Sequence, residues 1–285
     1  MVAASARGWA WPRPACAGLG LAVLLPLAGC PAPDTESGCV ESTALFGAPT
    51  EATGLDAEAC APTCASCGEA PWVQPTYTAE DLAAWRAWSL QDPPAVLASD
   101  PYAEAAPAPP GPAAVCAMLP AGAEYRLVNQ PSSAEALAAG AAVTHFGTCG
   151  LCSSLADLAV YAEHPDLTEP VRACGMANLD GDIAALTACI AAIGFTEPCA
   201  SIWAWNTTHT RDACMGVCLE YYDAPYNEPD GSLNPCLQCD EDESGAIFQA
   251  VAGRTRRNTG LASSMCRPCS EVRPLVHAYG APGGG

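Results

Sequence analysis

The sequence predicts a mainly α-helical, disulfide-rich domain with at most a small β element, preceded by an extended acidic tether rich in Pro and Ala. Three observations lead to this fold class. The chain has 18 cysteines, which in an exported protein are first interpreted as a disulfide framework. From Cys152 onward, helix-start signals alternate with apolar residues at helical spacing. Residues 31–75 have little apolar periodicity and are rich in Pro, Ala, Thr, Glu and Gly.

Residues 1–29 have the features of an export signal. Arg7 and Arg13 precede an apolar run over residues 15–28, which is too short to remain as a membrane-spanning helix. The sequence Leu27-Ala28-Gly29-Cys30 resembles the lipobox of bacterial lipoproteins. This resemblance implies that the chain is cut before Cys30 and that Cys30 carries the lipid, which makes the membrane a partner. An ordinary secretory cleavage nearby is the alternative.

Residues 30–112 are predicted to hold the folded part away from the membrane. Residues 30–75 form an acidic tether with a small cysteine cluster, whose even number of cysteines allows local pairing. Residues 76–112 contain a short helix over 79–90, opened by a capping box of Thr78 and Asp81, and then a Pro/Ala linker.

The folded domain is predicted over residues 113–279, with a flexible tail over 280–285. Its only predicted strands are 125–129 and 141–146, with a capped helix from Ser133 between them.

Cap residues place the later helices. Thr168 and Thr196 each precede a Glu-Pro pair and are predicted helix starts. Asp182 is predicted to open a helix over 183–193, Thr210 another, and Pro235 and Ser264 two more segments.

The cysteine count is even once two residues are set aside. Cys16 leaves with the signal and Cys30 takes the lipid, so sixteen remain for disulfides. These are Cys39, Cys60, Cys64, Cys67, Cys116, Cys149, Cys152, Cys174, Cys189, Cys199, Cys214, Cys218, Cys236, Cys239, Cys266 and Cys269. Their connectivity stays open at the level of sequence.

Charge excludes several function classes. The formal net charge is −20 and the chain has no lysine, which excludes a Schiff-base lysine and a P-loop lysine. The acidity argues against nucleic-acid binding and favours solubility, cationic partners or loosely held metal ions. No cofactor and no specific metal site are predicted.

The sharpest catalytic candidate is Cys149-Gly150-Leu151-Cys152, which lies between a predicted strand and a predicted helix. It resembles the active-site turn of thioredoxin-like oxidoreductases. That resemblance implies Cys149 as nucleophile, activated by the helix N-terminus, and Cys152 as resolving thiol. The alternative is that each cysteine bridges to a distant partner.

Two further features permit metal binding. Cys236/Cys239 and Cys266/Cys269 are C-x-x-C pairs about 30 residues apart, a zinc signal that export to an oxidising compartment weakens. The acidic run 240–243 either pairs with the arginines at 254, 256 and 257 or forms a cation patch.

These features favour a non-catalytic, lipid-anchored binding or structural module at the cell envelope. A membrane-tethered thiol–disulfide oxidoreductase is the first alternative and a metal-binding protein the second. The stretch from residue 145 to residue 267 is similar to uncharacterised cysteine-rich secreted proteins, and this resemblance implies no activity, ligand or catalytic residue. The protein or small-molecule partner stays open.

Overall fold

In a computed structural model of the chain, the described residues are 44–64, 71–103 and 114–282, and they belong to one compact unit. The helices within these ranges are α1 Ala79–Arg86, α2 Ser133–Ala138, α3 Leu155–Glu163, α4 Thr168–Ala177, α5 Ile183–Ala191, α6 Glu197–Glu220, α7 Pro235–Glu243, α8 Gly245–Ala252 and α9 Arg256–Thr259. The strands are β1 Leu45–Phe46, β2 Cys60–Ala61, β3 Thr63–Cys64, β4 Trp72–Val73, β5 Ser89–Leu90, β6 Val115–Ala121, β7 Glu124–Gln130, β8 Ala142–Phe146 and β9 Arg267–Pro268. The mainly helical, disulfide-rich class is confirmed for these residues.

The β structure is larger than predicted. Four strands form a sheet in the order β5-β7-β6-β8, and β6 pairs antiparallel with both β7 and β8. β7 and β8 match the two predicted strands, but β6 was not predicted. Its first four residues are all buried, so the strand lacks the alternation of a half-buried strand and cannot be told from a buried helix segment by periodicity.

Most predicted helix starts are confirmed, and two are corrected. The side chains of Asp182 and Thr196 accept hydrogen bonds from the first turns of α5 and α6. Thr168 does not cap α4, because the Asp166 carboxylate accepts from the Thr168 N–H instead. Thr210 does not start a helix, since its hydroxyl donates to Asp240 on α7 while α6 runs on without a break.

The ends of two other predicted segments also differ. The capping box of Thr78 and Asp81 is confirmed, but α1 ends at Arg86, and the last two residues of the predicted helix form β5, which pairs with β7. Ser264 begins no helix; its N–H donates to the Pro165 carbonyl.

The core includes buried side chains from α1, α3 and α6. Leu155, Leu158 and Val160 of α3 are fully buried, as is Ile202 of α6. Trp85 of α1 is in the same cluster. Each of these side chains removes enough apolar surface from water to stabilise the fold by about 1.5–3 kcal/mol.

The described parts of the predicted tether and linker are not a separate arm. β1 pairs in parallel with β2 and antiparallel with β9, and disulfides join Cys60 to Cys266 and Cys64 to Cys269. The predicted local pairing of this cysteine cluster is therefore wrong for these two cysteines. The composition of the predicted tether does favour extended backbone. The long-range disulfides, however, hold the described part of that backbone against the domain.

Several predicted features lie outside the described residues. These are the signal peptide, the lipid-bearing Cys30, Cys39, Cys67, the linker residues 104–112 and the last three residues of the tail. At the start of the tail, the Gly280 carbonyl accepts a hydrogen bond from the Trp88 indole at 2.7 Å.

A candidate ligand-binding cavity

The C-x-x-C turn does not contain a dithiol. Cys149 is bonded to Cys116 of β6, and Cys152 is bonded to Cys199 of α6. The turn lies so close to the end of α8 that a Cβ at Gly150 would come within 2.4 Å of the Val251 carbonyl oxygen. The roles of nucleophile and resolving thiol are thus corrected, because neither sulfur is free and each bridges to a third cysteine.

All the cysteines in the described ranges are in disulfides. The remaining bridges are Cys174–Cys189, Cys214–Cys239 and Cys218–Cys236. The seven bridges within the described residues suggest an oxidising environment outside the cytoplasm. The C-x-x-C pairs that could have held zinc are used in this framework, and no group of three or more His, Cys, Asp or Glu side chains arranged to hold a metal occurs among the described residues.

One concave feature of the described residues is a cavity of about 310 Å³ between α4, α6, α7, α9 and the segment before β9. Disulfides fix its walls, since two bridges tie α6 to α7 and α4 is tied to α5. α4 crosses α6 closely at Gly175, where a Cβ would lie 2.8 Å from the Thr207 methyl group. This volume is within the range of small-molecule sites.

The lining is largely apolar and extends onto an exposed rim. Met215 and Leu219 project from α6, and Met176 and Leu179 lie at the end of α4 and just after it. Leu219 is 62% exposed and Leu179 is 53% exposed. Exposed apolar side chains that cluster at the mouth of a cavity mark a binding surface more often than scattered ones do.

A polar network forms one wall. Asp240 Oδ1 accepts hydrogen bonds from the Thr210 hydroxyl and from Asn206 Nδ2, the latter at 3.2 Å. Asn206 Oδ1 in turn accepts from the Tyr102 hydroxyl at 2.6 Å. Burial raises the pKa of the Asp240 carboxyl, against these hydrogen bonds, which lower it.

Ser244 and His209 extend this network but do not form a nucleophile and base. Ser244 Oγ lies 3.0 Å from both His209 Nδ1 and Thr210 Oγ1. Since Thr210 donates its only proton to Asp240, the contact between Ser244 and Thr210 takes the Ser244 proton, and His209 Nδ1 is then the donor to Ser244 Oγ. His209 therefore cannot take the serine proton through Nδ1, as a general base would.

Within the acidic run 240–243, Glu241 forms ion pairs with arginines of the same domain. Glu241 accepts from Arg257 at 2.7 Å and from Arg267 at 2.5 Å, and Arg257 also pairs with Glu271 at 2.9 Å. These two arginines and two glutamates neutralise one another at the cavity wall. The expected pairing between the run and the downstream arginines is confirmed for Glu241 and Arg257.

Arg256 differs from the other arginines of the cavity. Its guanidinium donates to the carbonyls of Tyr161 at 2.8 Å, Ala262 at 3.0 Å and His164. No carboxylate among the described residues lies within 4.0 Å of it. Burial lowers the pKa of Arg256 to about 10, so that it still carries its charge at neutral pH.

This cavity was not predicted from the sequence. The available signal was the methionine distribution, since Met176, Met215 and Met265, three of the chain's five methionines, line it. Methionine is enriched on adaptable binding surfaces. The arginines at 254, 256 and 257 were noted, but the sequence could not show which of them lacks a carboxylate partner.

Comparisons with known proteins place no activity on this site. Residues 183–274 match the model of a family of unknown function, DUF8771. This range spans about a third of the chain and includes α5 to β9, hence Asp240 and Arg256 but not α4. No curated protein and no solved structure matches the chain. The chain is thus a disulfide-rich protein, part of which is similar to that family.

None of the helices in the described ranges combines the length and the apolar character that a bilayer crossing requires.

Proposed function

We propose that this protein is an exported, non-catalytic binding module, anchored by lipid on Cys30, that takes a small, largely apolar ligand in the cavity between α4, α6 and α7. The observation that carries the binding role is the cavity itself, with about 310 Å³ of space and a mostly apolar lining. A concave apolar site with a few polar groups is the usual form of a small-molecule site.

The non-catalytic part of the proposal is supported by the chemistry of the candidate centres. The sulfur atoms of Cys149 and Cys152 are both spent in structural bridges. The hydrogen-bond directions around Asp240 leave Ser244 as a donor to Thr210. Neither group of residues is arranged to attack a substrate.

The anchoring part is supported by the lipobox-like Leu27-Ala28-Gly29-Cys30 and by the disulfide framework, which requires an oxidising compartment. The chain between Cys30 and β1 is short, and Phe46 of β1 lines the cavity.

The binding role is tested with a neutral apolar fluorophore, N-phenyl-1-naphthylamine, titrated into the purified protein. We expect saturable enhancement of emission that Met215→Trp, a substitution that fills the cavity, weakens about tenfold. Leu137→Trp is the matched control, because Leu137 is 78% exposed on α2 and away from the cavity. Equal binding by all three proteins would contradict the assignment of the site.

The anchor is tested separately by labelling cells with radioactive palmitate. The wild-type protein should incorporate label and the Cys30→Ala variant should not. Label that persists in the variant would show that Cys30 is not the lipidated residue.

A further inference from the structure

We propose that the ligand of this cavity is a single-chain amphiphile with a carboxylate head group, and that Arg256 binds that carboxylate. The inference rests on the proposed binding function and names the chemical class of the ligand. It is based on the unused hydrogen-bond donors of Arg256, on the charge balance of the other arginines, and on the shape and polarity of the cavity.

Arg256 has donors left over. A guanidinium carries five N–H donors, and three hydrogen bonds to carbonyl oxygens use both hydrogens of Nη1 and one of Nη2. Nε–H and the second Nη2 hydrogen therefore donate to no group of the described residues. Two donors on one planar group suit the two oxygens of a carboxylate, which arginine commonly binds in a bidentate manner.

These donors can be reached by a ligand. Arg256 is one of the residues that line the cavity. Among the described residues, Thr208 Oγ1 is the only side-chain nitrogen or oxygen atom that is buried from solvent and has no hydrogen-bond partner. The unpartnered Nε of Arg256 is not among such atoms, so it keeps some accessible surface.

The charge balance of the cavity singles out Arg256. Arg257 and Arg267 are neutralised by Glu241 and Glu271, and Arg211, at another part of the lining, pairs with Asp212 at 3.3 Å.

Arg256 has only a longer-range attraction to Asp166. That carboxylate is already engaged by the Tyr226 hydroxyl at 2.9 Å and the Thr168 N–H at 2.9 Å. The near contacts of Arg256 are three carbonyls and the face of the Tyr161 ring, 5.5 Å from the guanidinium carbon. None of these carries a formal negative charge, so the half-buried guanidinium can attract an anionic ligand.

Asp240 is the other charged group without an ion pair in the cavity, and it would favour a cationic ligand instead. Its Oδ1 already accepts from two neutral donors, Thr210 and Asn206, which stabilise the carboxylate without a counter-ion. Arg256 has donors unused, whereas Asp240 is hydrogen-bonded, so the geometry favours the carboxylate ligand.

The rest of the cavity suits a flexible hydrocarbon chain. Trp203, Met215 and Leu219 of α6 line it from the middle of the helix to its exposed end. Methionine and leucine side chains adapt to a chain of variable length better than polar side chains do. An amphiphile can thus place its head at Arg256 and its tail along α6 toward the apolar rim.

The experiment is isothermal titration calorimetry on the purified protein with three ten-carbon probes: decanoate, decanol and decyltrimethylammonium. We expect decanoate to bind about tenfold more tightly than decanol, since hydrogen bonds to charged groups are worth more than neutral ones. The cationic probe should bind most weakly. Equal affinities would overturn the inference. A preference for the cation would also overturn it and would identify Asp240 as the charged group that selects the ligand.

Three variants locate the effect. Arg256→Gln should abolish the tenfold difference between decanoate and decanol, and Arg256→Lys should keep most of it. Arg86→Gln is the matched control, because Arg86 is ion-paired with Glu163 and does not line the cavity; it should leave the difference unchanged. A preference that survives Arg256→Gln would show that another group binds the carboxylate.

The two proposals fail in different ways. If no probe binds, or if all three bind equally well to Met215→Trp, the cavity is not the site and the proposed function fails with the inference. If decanol binds in a manner that Met215→Trp blocks but decanoate has no advantage, the binding function stands and the inference is wrong. Should Arg256→Gln not fold, the probe series on the wild-type protein and on Arg256→Lys still decides.

Discussion

Arg254 and Arg256 are two positions apart but lie in different surroundings. We call the buried polar core around Arg254 the sealed side and the cavity that Arg256 lines the open side. Arg254 lies on the sealed side, is 0% exposed, and donates to the carbonyls of Cys152, Thr144 and Ser153 at 2.9 to 3.0 Å. Arg256, on the open side, also donates to three carbonyls but lines the cavity. The same chemistry fixes a core in one place and leaves a functional group available in the other.

On the sealed side, Arg254 joins three parts of the chain. Its three acceptors lie in the middle of β8, in the C-x-x-C turn and just before α3. His145 continues this polar core, since Nε2 is 2.7 Å from Ser153 Oγ. Buried polar groups that are fully paired rigidify a core, and here they hold the turn that the sequence analysis considered catalytic.

The largest expected effect is the loss of Arg254. Arg254→Met leaves three buried carbonyls without donors, so we expect the free energy of unfolding to fall by about 3–5 kcal/mol. Arg256→Met should cost less, about 1–2 kcal/mol, because water in the cavity can solvate the released carbonyls. Urea unfolding followed by circular dichroism measures both, and equal losses would remove the distinction between the two sides.

A second prediction compares disulfides on the two sides. Replacing Cys152 and Cys199 by Ala opens a connection spanning 47 residues, and the expected loss of stability is about 4 kcal/mol.

The bridge Cys218–Cys236 spans 18 residues and is nested inside Cys214–Cys239, so its removal should cost about 2–3 kcal/mol. Denaturant titration under non-reducing conditions tests the order. A reversed order would mean that the cavity walls, not the core, depend most on the cross-links.

Acid should destabilise the sealed side. Burial lowers the pKa of His277 to about 3 and that of His145 well below its usual value. Because the unfolded chain binds a proton near pH 6.5 and the folded chain does not, stability is full above that pH and falls below it, by about 2 kcal/mol per histidine between pH 7 and pH 5.

The pH dependence is tested by comparing unfolding at the two pH values in His277→Asn and in His164→Asn. The first variant should lose about 2 kcal/mol of the difference between pH 7 and pH 5. His164, whose side chain is 39% exposed, is the control and should keep it. Burial raises the pKa of Asp157, which acts in the opposite direction, so the difference between the two variants is the decisive quantity. No difference between them would mean that His277 is not buried as a neutral side chain.

The division into two sides also explains what the sequence could predict. Helix starts such as Asp182 and Thr196 were correct because a cap is a local interaction over three residues. The predictions at Thr168 and Thr210 were wrong because of competing partners. Asp166 accepts the Thr168 N–H, and Asp240, 30 residues away along the chain, accepts the Thr210 hydroxyl. Local chemistry is visible in the sequence, and competition between partners far apart along the chain is not.

The disulfide framework shows the same limit at longer range. The count and spacing of cysteines correctly indicated cross-linking of the fourteen that the structure describes. They could not reveal that Cys60 reaches Cys266 across 206 residues, and so a segment held within the domain was assigned to the tether. The cavity was missed for the same reason, since its walls come from α4, α6, α7 and α9.

The smallest expected change in stability is at the rim of the open side. Leu219 is 62% exposed on α6, so Leu219→Glu should change the free energy of unfolding by no more than about 0.5 kcal/mol. It places a negative charge at the mouth of the cavity and should weaken decanoate binding by about tenfold, with a smaller effect on decanol. Leu137→Glu, at a position that is 78% exposed and away from the cavity, should change neither quantity. Calorimetry and urea unfolding on both variants would separate effects on binding from effects on folding. A loss of stability in Leu219→Glu alone would mean that this rim is part of the core.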